Sequence, residues 1–158
     1  MQVGAACDRV FFPSPPAGAC ILIKMEASIS YIDGMKFEAE SRGHRVICDQ
    51  PASNSGADTG MAPPEFLLVS LGTCAGFYAL QYLKTRSLST QGLAVRVLAE
   101  KATQPVRLGS FRIEVTVPGL EPRHHEGVLR AVKLCLVHNT LLHPPAIETV
   151  LKTEAGAA

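Results

Sequence analysis

Apolar and polar positions alternate from Ala27 onward. Ile29 and Tyr31 stand between polar residues, Asp33-Gly34 follows, and the stretch from Met35 to Glu40 alternates again. Asp-Gly between two alternating runs predicts a hairpin, because the turn needs positive φ. Gly43 opens a third strand, His44 to Cys48. Residues 50–62, with Pro, Ser, Asn, Gly and Asp, read as a flexible loop. Ahead of this pattern, residues 1–24 read as a leader in which Pro13, Pro15 and Pro16 prevent regular structure.

The period then changes. Pro63-Pro64-Glu65 begins a helix, since proline fits a first turn and a carboxylate suits the positive end of the dipole. The helix runs to about Arg86 and is apolar on nearly every face until Lys84, so burial on most sides is expected. Gly72 and Gly76 cost about 1 kcal/mol each inside a helix. Their presence implies close packing or an opening beside Cys74.

Two further alternating runs follow, Leu93 to Glu100 and Phe111 to Val117, with a turn around Gln104-Pro105. Pro118-Gly119 ends the second. Pro122 starts another helix, Cys135 to Leu142 continues it or turns, and Pro144-Pro145 stops it. Ala146 to Leu151 reads as a final strand, and residues 153–158 as a tail. Strands in runs with long helices between them predict an α+β class. One domain over 25–152 is expected.

Composition adds a partner. In 158 residues, 47% are apolar and only 18% charged, against a usual quarter. Scarce charge on a small domain implies apolar surface covered by another chain, so a homodimer is expected. Fifteen Lys+Arg against fourteen Asp+Glu leave a net charge of +1, which removes nucleic acid and anionic lipid as default partners. No uninterrupted apolar run reaches the roughly 18 residues of a membrane span, so no membrane partner is expected. Five scattered cysteines, Cys7, Cys20, Cys48, Cys74 and Cys135, do not form a secreted disulfide framework; a reducing cytoplasm is favoured.

Candidate chemistry centres on two of those thiols. Helical spacing sets Leu67, Ser70, Leu71, Phe77, Tyr78 and Gln81 around Cys74. That position suits a packed core cysteine. It also suits a reactive thiolate, which in mid-helix needs a nearby cation or donor. Cys135 carries the same two readings. If the two helices meet, sulfenic acid on one cysteine can condense with the other. Cys7, Cys20 and Cys48 read as structural or incidental.

The stretch Pro64-Glu65-Phe-Leu-Leu-Val-Ser-Leu-Gly72-Thr-Cys74-Ala resembles the signature helix of the OsmC/Ohr family. Leu134-Cys135-Leu-Val-His-Asn-Thr-Leu-Leu resembles that family's second cysteine element. The resemblance covers about residues 27–152 and is nearest the OsmC-like branch. It implies two small antiparallel sheets around two central helices, in an intertwined homodimer. It also implies thiol peroxidase chemistry in oxidative-stress defence. Cys74 would attack an organic hydroperoxide, Cys135 would close the disulfide, and a dithiol such as dihydrolipoamide would reduce it. An Arg–Glu pair organises such sites. Glu65 matches the carboxylate, whereas Ile29 to Phe37 holds no arginine. Lys36, Arg42 and Arg45 are the candidate charge partners.

Nine helical residues span roughly 13 Å and put Glu65 nearly opposite Cys74, so Glu65 cannot touch that thiol on its own helix. It serves the site from a partner chain or through an irregular first turn, or it only caps the helix. Cys135-x-x-His138 with His143 lacks the ligand set of a structural zinc site, and no metal or cofactor is expected. His138 reads as a surface histidine, or as a group one turn from Cys135 that donates a proton or lowers the thiol pKa. His124-His125 reads as solvated. A second function stays open. The same fold would act as a non-enzymatic binding module, with an apolar dimer-interface pocket near Leu71, Phe77, Tyr78 and Tyr82.

Overall fold

The computed structural model describes residues 25–153. The expected leader over 1–24 and all but Thr153 of the expected tail lie outside the described residues.

Strands β1 (Ser28–Tyr31), β2 (Phe37–Ser41) and β3 (His44–Cys48) form an antiparallel sheet in that order. Ser28 pairs with Glu40 and Tyr31 with Phe37, whose rings meet edge-on at 5.8 Å. The Asp33-Gly34 turn is tightened by Lys36 N–H donating to the Asp33 carbonyl at 2.7 Å. Between β2 and β3 only Arg42 and Gly43 remain, at φ 52° and 80°. Two positive φ values make the mirror-image turn that matches strand twist. Glycine takes this conformation freely, whereas Arg42 does so at a cost of about 1 kcal/mol.

The loop after β3 is pinned, contrary to the expectation of a flexible segment over 50–62. Asp49 is fully buried, and its carboxylate accepts from the N–H groups of Gln50, Ala57 and Thr59 and from the Thr59 hydroxyl, at 2.8–3.2 Å. A single-turn 3-10 helix, Ala52–Asn54, sits inside this knot. One aspartate at the loop base therefore does what composition alone did not reveal.

Helix α1 (Pro63–Thr85) follows. It buries Leu71, Gly72, Ala75, Ala79 and Leu83, which recur along one face at helical spacing. That stripe packs on the hairpin β4 (Ala94–Thr103) and β5 (Val106–Thr116), on α2 (His125–Val132) and on α3 (Leu136–Leu142). The core joins Ala75, Ala79 and Leu83 to Val128 and Val132, under Val95, Ile113 and Val115 of the hairpin. Burial on most sides is not what one chain provides: Val69, Thr73, Phe77 and Gln81 leave a second stripe exposed. By length and composition α1 would also pass for a membrane span, which a search for uninterrupted apolar runs missed. Its packing on the hairpin and on α2 and α3 gives the buried stripe a core role instead.

Gly72 and Gly76 face β4. A Cβ on Gly72 would stand 3.0 Å from Val97, and one on Gly76 3.4 Å from Val95. The two glycines thus let the helix settle on the sheet; they do not open a cleft beside Cys74.

The strand expected over Ala146 to Leu151 is not formed. Residues 144–153 are irregular, and Ile147 and Leu151 are each 88% exposed. An alternating apolar segment becomes a strand only beside a partner edge, and this segment pairs with no described strand. The three-stranded sheet is similarly isolated: none of β1, β2 and β3 packs substantially on α1, α2, α3 or the β4–β5 hairpin. Tyr31 stays 65% exposed there. The class is α+β with two small antiparallel sheets, as expected, although the second central helix is broken into α2 and α3.

Candidate functional site

The break between α2 and α3 builds the site. After Val132 the chain makes a tight turn, with Leu134 N–H bonded to the Ala131 carbonyl and Cys135 N–H to the Val132 carbonyl, both at 3.0 Å. Cys135 then caps α3: its Sγ accepts from His138 N–H at 3.4 Å. Because α3 packs against α1, this turn carries a fully buried sulfur to the flank of the long helix.

Cys74 meets it there. The Cys135 thiol is pushed up to about 11, first by burial and then by a hydrogen bond with Cys74 in which Cys135 keeps the proton. The His138 N–H pulls the other way and is outweighed. Both cysteines are free thiols, Cys74 half-buried and Cys135 sealed. The arrangement is asymmetric: one cysteine that is partly exposed, and beside it one that is sealed and holds its proton.

Other residues named from the sequence lie elsewhere. Glu65 reaches back and accepts from Ala62 N–H at 2.7 Å, closing the first turn of α1. Lys36 pairs with Asp33 at 3.4 Å, and Arg45 with Glu40 at 3.0 Å and Glu38 at 3.6 Å. Arg42 lines an open polar hollow of about 430 Å³ with Glu26, Ser28, Glu40 and Ser41. All three cations belong to the sheet that stands apart from α1. Leu71 is buried in the core, whereas Phe77 is 53% exposed with its ring edge-on to Tyr78 at 5.6 Å. A single chain does not enclose a pocket over these two rings. Cys48 ends β3 and bridges to Met61 through its backbone, and Cys7 and Cys20 lie outside the described residues.

One histidine role escaped the sequence, and another was legible only as one of two readings. His124 is not simply solvated: its Nδ1 bonds the Tyr82 hydroxyl at 3.2 Å, and the Arg86 guanidinium lies 3.9 Å over the same ring. This brace ties α1 to α2. His138 is not an ordinary surface histidine either, since its Nδ1 is buried without a partner. The Cys-x-x-His spacing was the available signal for the second; nothing in the sequence joins Tyr82 to His124 across 42 residues. No cluster of metal-binding side chains occurs among the described residues.

The architecture recurs in solved structures. The chain is similar to a candidate osmotic stress induced and detoxification response protein from Psychrobacter arcticus 273-4. The TM-score is 0.68 at 18% identity, over 77% of this chain and 91% of that one. It is similar to an OsmC-like protein from Mycoplasma pneumoniae, with TM-score 0.65 and 21% identity over 77% and 89%. An organic hydroperoxide resistance protein from Elizabethkingia anophelis matches with TM-score 0.54 and 19% identity over 77% and 90%. No curated protein matches significantly. The model of the OsmC-like protein family matches residues 56–150, which take in the end of the pinned loop, Cys74, Cys135 and the β4–β5 hairpin. With more than half of its length so matched, the chain belongs to the OsmC-like protein family.

Proposed function

We propose that this protein is a thiol-dependent peroxidase that reduces organic hydroperoxides, in a reducing cytoplasm, as a homodimer of one domain over residues 25–152. The observation that carries this reading is the contact between the half-buried Cys74 thiol and the sealed Cys135 thiol. In the first step the Cys74 sulfur attacks the peroxide. The O–O bond breaks, the alcohol leaves, and Cys74 becomes a sulfenic acid. Cys135 then forms the S–S bond and water departs. A dithiol such as dihydrolipoamide takes up the oxidation by exchange and restores both thiols. The similarity to organic hydroperoxide resistance proteins supports the substrate class.

The homodimer is supported by the isolated sheet and by the bare Phe77 stripe of α1. A second copy would cover both, and would bring Lys36, Arg42 or Arg45 within reach of a thiol they do not reach in their own chain. Glu65 of the second copy would serve through the carboxylate oxygen that its bond to Ala62 N–H leaves free.

One observation favours the non-enzymatic binding module instead: Glu65, Lys36 and Arg45 are each engaged elsewhere in the chain. One experiment separates the two. Parent protein with dihydrolipoamide should consume tert-butyl hydroperoxide catalytically. Cys74→Ser should not, and Cys135→Ser should stop after one turnover. A Cys74→Ser protein that matches the parent would sink the enzyme.

A further inference from the structure

Resting on the thiol-peroxidase reading, we propose that the His138 imidazole is the proton acceptor for Cys135 when the Cys74–Cys135 disulfide closes. Three observations meet at this residue. His138 stands one helical turn beyond Cys135, and its backbone N–H donates to Cys135 Sγ at 3.4 Å. Its ring Nδ1 is sealed from solvent and has no hydrogen-bond partner. The residue as a whole is only half-buried. A residue that is only half-buried therefore carries one ring nitrogen sealed from solvent and free to accept.

Buried polar atoms nearly always find a partner, and leaving one unpaired costs about 1–3 kcal/mol. In the reduced protein the Cys135 thiol directs its proton to the Cys74 sulfur. Oxidation of Cys74 to the sulfenic acid turns that acceptor into the electrophile. The Cys135 proton then needs somewhere else to go, and Nδ1 is the vacant acceptor one turn away. The need is large. A thiol titrating at about 11 is thiolate in only about one molecule in 10⁴ at pH 7. A positioned base recovers roughly 10²–10⁴-fold of such a deficit.

The step balances. The Cys135 S–H bond breaks and its proton passes to Nδ1. The sulfur electron pair forms the S–S bond with Cys74 as the Cys74 S–O bond breaks. The departing hydroxide takes a proton from solvent and leaves as water, and the imidazolium returns one proton to solvent, so no net proton is gained or lost.

The test needs no hydroperoxide. Full-length protein carrying Cys7→Ser, Cys20→Ser and Cys48→Ser is treated with one equivalent of dithiodipyridine. The first thiopyridone released reports Cys74 forming the mixed disulfide. The second reports Cys135 attacking it. In His138→Asn and His138→Ala the rate of the second release relative to the first should fall by about 100-fold or more. Added imidazole should restore it in His138→Ala, which a purely structural role would not allow. His138→Asn keeps the backbone N–H and polar bulk should the alanine variant fold poorly. A ratio within about threefold of the parent in His138→Asn, or a slow His138→Ala that imidazole leaves unchanged, overturns the proposal. Failure of the parent to turn over hydroperoxide would remove the enzyme reading without altering this ratio, so the two failures are distinguishable.

Discussion

Gly127→Ala sets two physical effects against each other, and the structure decides the sign. Gly127 is buried on α2, where helix propensity alone favours alanine by about 1 kcal/mol. The added Cβ, however, would fall on the hydroxyl and ring of Tyr82. That ring is held at its face and at its hydroxyl. Arg86 lies 3.9 Å over its face, and its hydroxyl is bonded to His124 at 3.2 Å. Forcing extra volume into such a contact costs about 1–3 kcal/mol, and losing the Tyr82–His124 bond costs about another 0.5–1.5 kcal/mol. The expected net effect is a destabilisation of about 1–3 kcal/mol, read as a lower urea midpoint at unchanged slope. In a Tyr82→Ala background the obstacle is gone, and the same glycine substitution should be neutral or stabilising. A Gly127→Ala protein as stable as the parent would refute the packing argument. So would an equal loss in both backgrounds.

Other substitutions and conditions follow from the same geometry. Gly76→Ala meets Val95 at 3.4 Å, ordinary contact, and should add up to about 1 kcal/mol of stability through helix propensity, read as a higher urea midpoint; an alanine at Gly72, 3.0 Å from Val97, should give no such gain. Asp49 is held below the usual carboxylate range, first by the Thr59 N–H and against the opposing effect of burial, with further help from the Thr59 hydroxyl, Gln50 and Ala57. Its contribution is present above the unfolded carboxylate value and lost as pH falls through the lower folded one. Amide exchange of Ala57 and Thr59 should stay protected at pH 5 and speed up in Asp49→Ala; equal protection in that variant would dismiss the pinning role. Cys135 has the opposite sign. Raised from 9.0 to about 11, its thiol contributes stability that is whole below pH 9 and lost as pH rises towards 11. Stability measured from pH 8 to 11 should fall in the parent and fall less in Cys135→Ser.

Local signals in the sequence reach most of this fold. Asp33-Gly34, Gly43, Pro63-Pro64 and Gln104-Pro105 each sit at an element boundary, because turns and helix starts are governed by φ and by missing N–H groups within a few residues. The pairing of Cys74 with Cys135 was legible only as a condition: if two helices meet, two sulfurs meet. Side-chain reach across the fold was not legible. Asp49 holds a loop through residues up to ten positions away, and Tyr82 finds His124 by tertiary packing. The misplaced strand at 146–151 has the opposite cause. Its alternation is real, but a strand requires an edge, and periodicity does not say where that edge is or on which chain.

The thiol pair and the charged hairpin raise one question between them. Cys74 and Cys135 sit on elements of one chain that pack on a common core. Lys36, Arg42 and Arg45 sit on a sheet that leaves Tyr31 and Ile29 exposed and has no core of its own to fold against. A three-stranded sheet needs a packed face to be stable. The described residues of this chain provide none, while α1 leaves the Phe77 stripe bare on the helix that carries Cys74. If the sheet of one copy covers that stripe on another, apolar burial and delivery of a cation to Cys74 become a single event. A thiolate stabilised in this way would exist only in the assembled protein. Thiol reactivity should then depend on protein concentration.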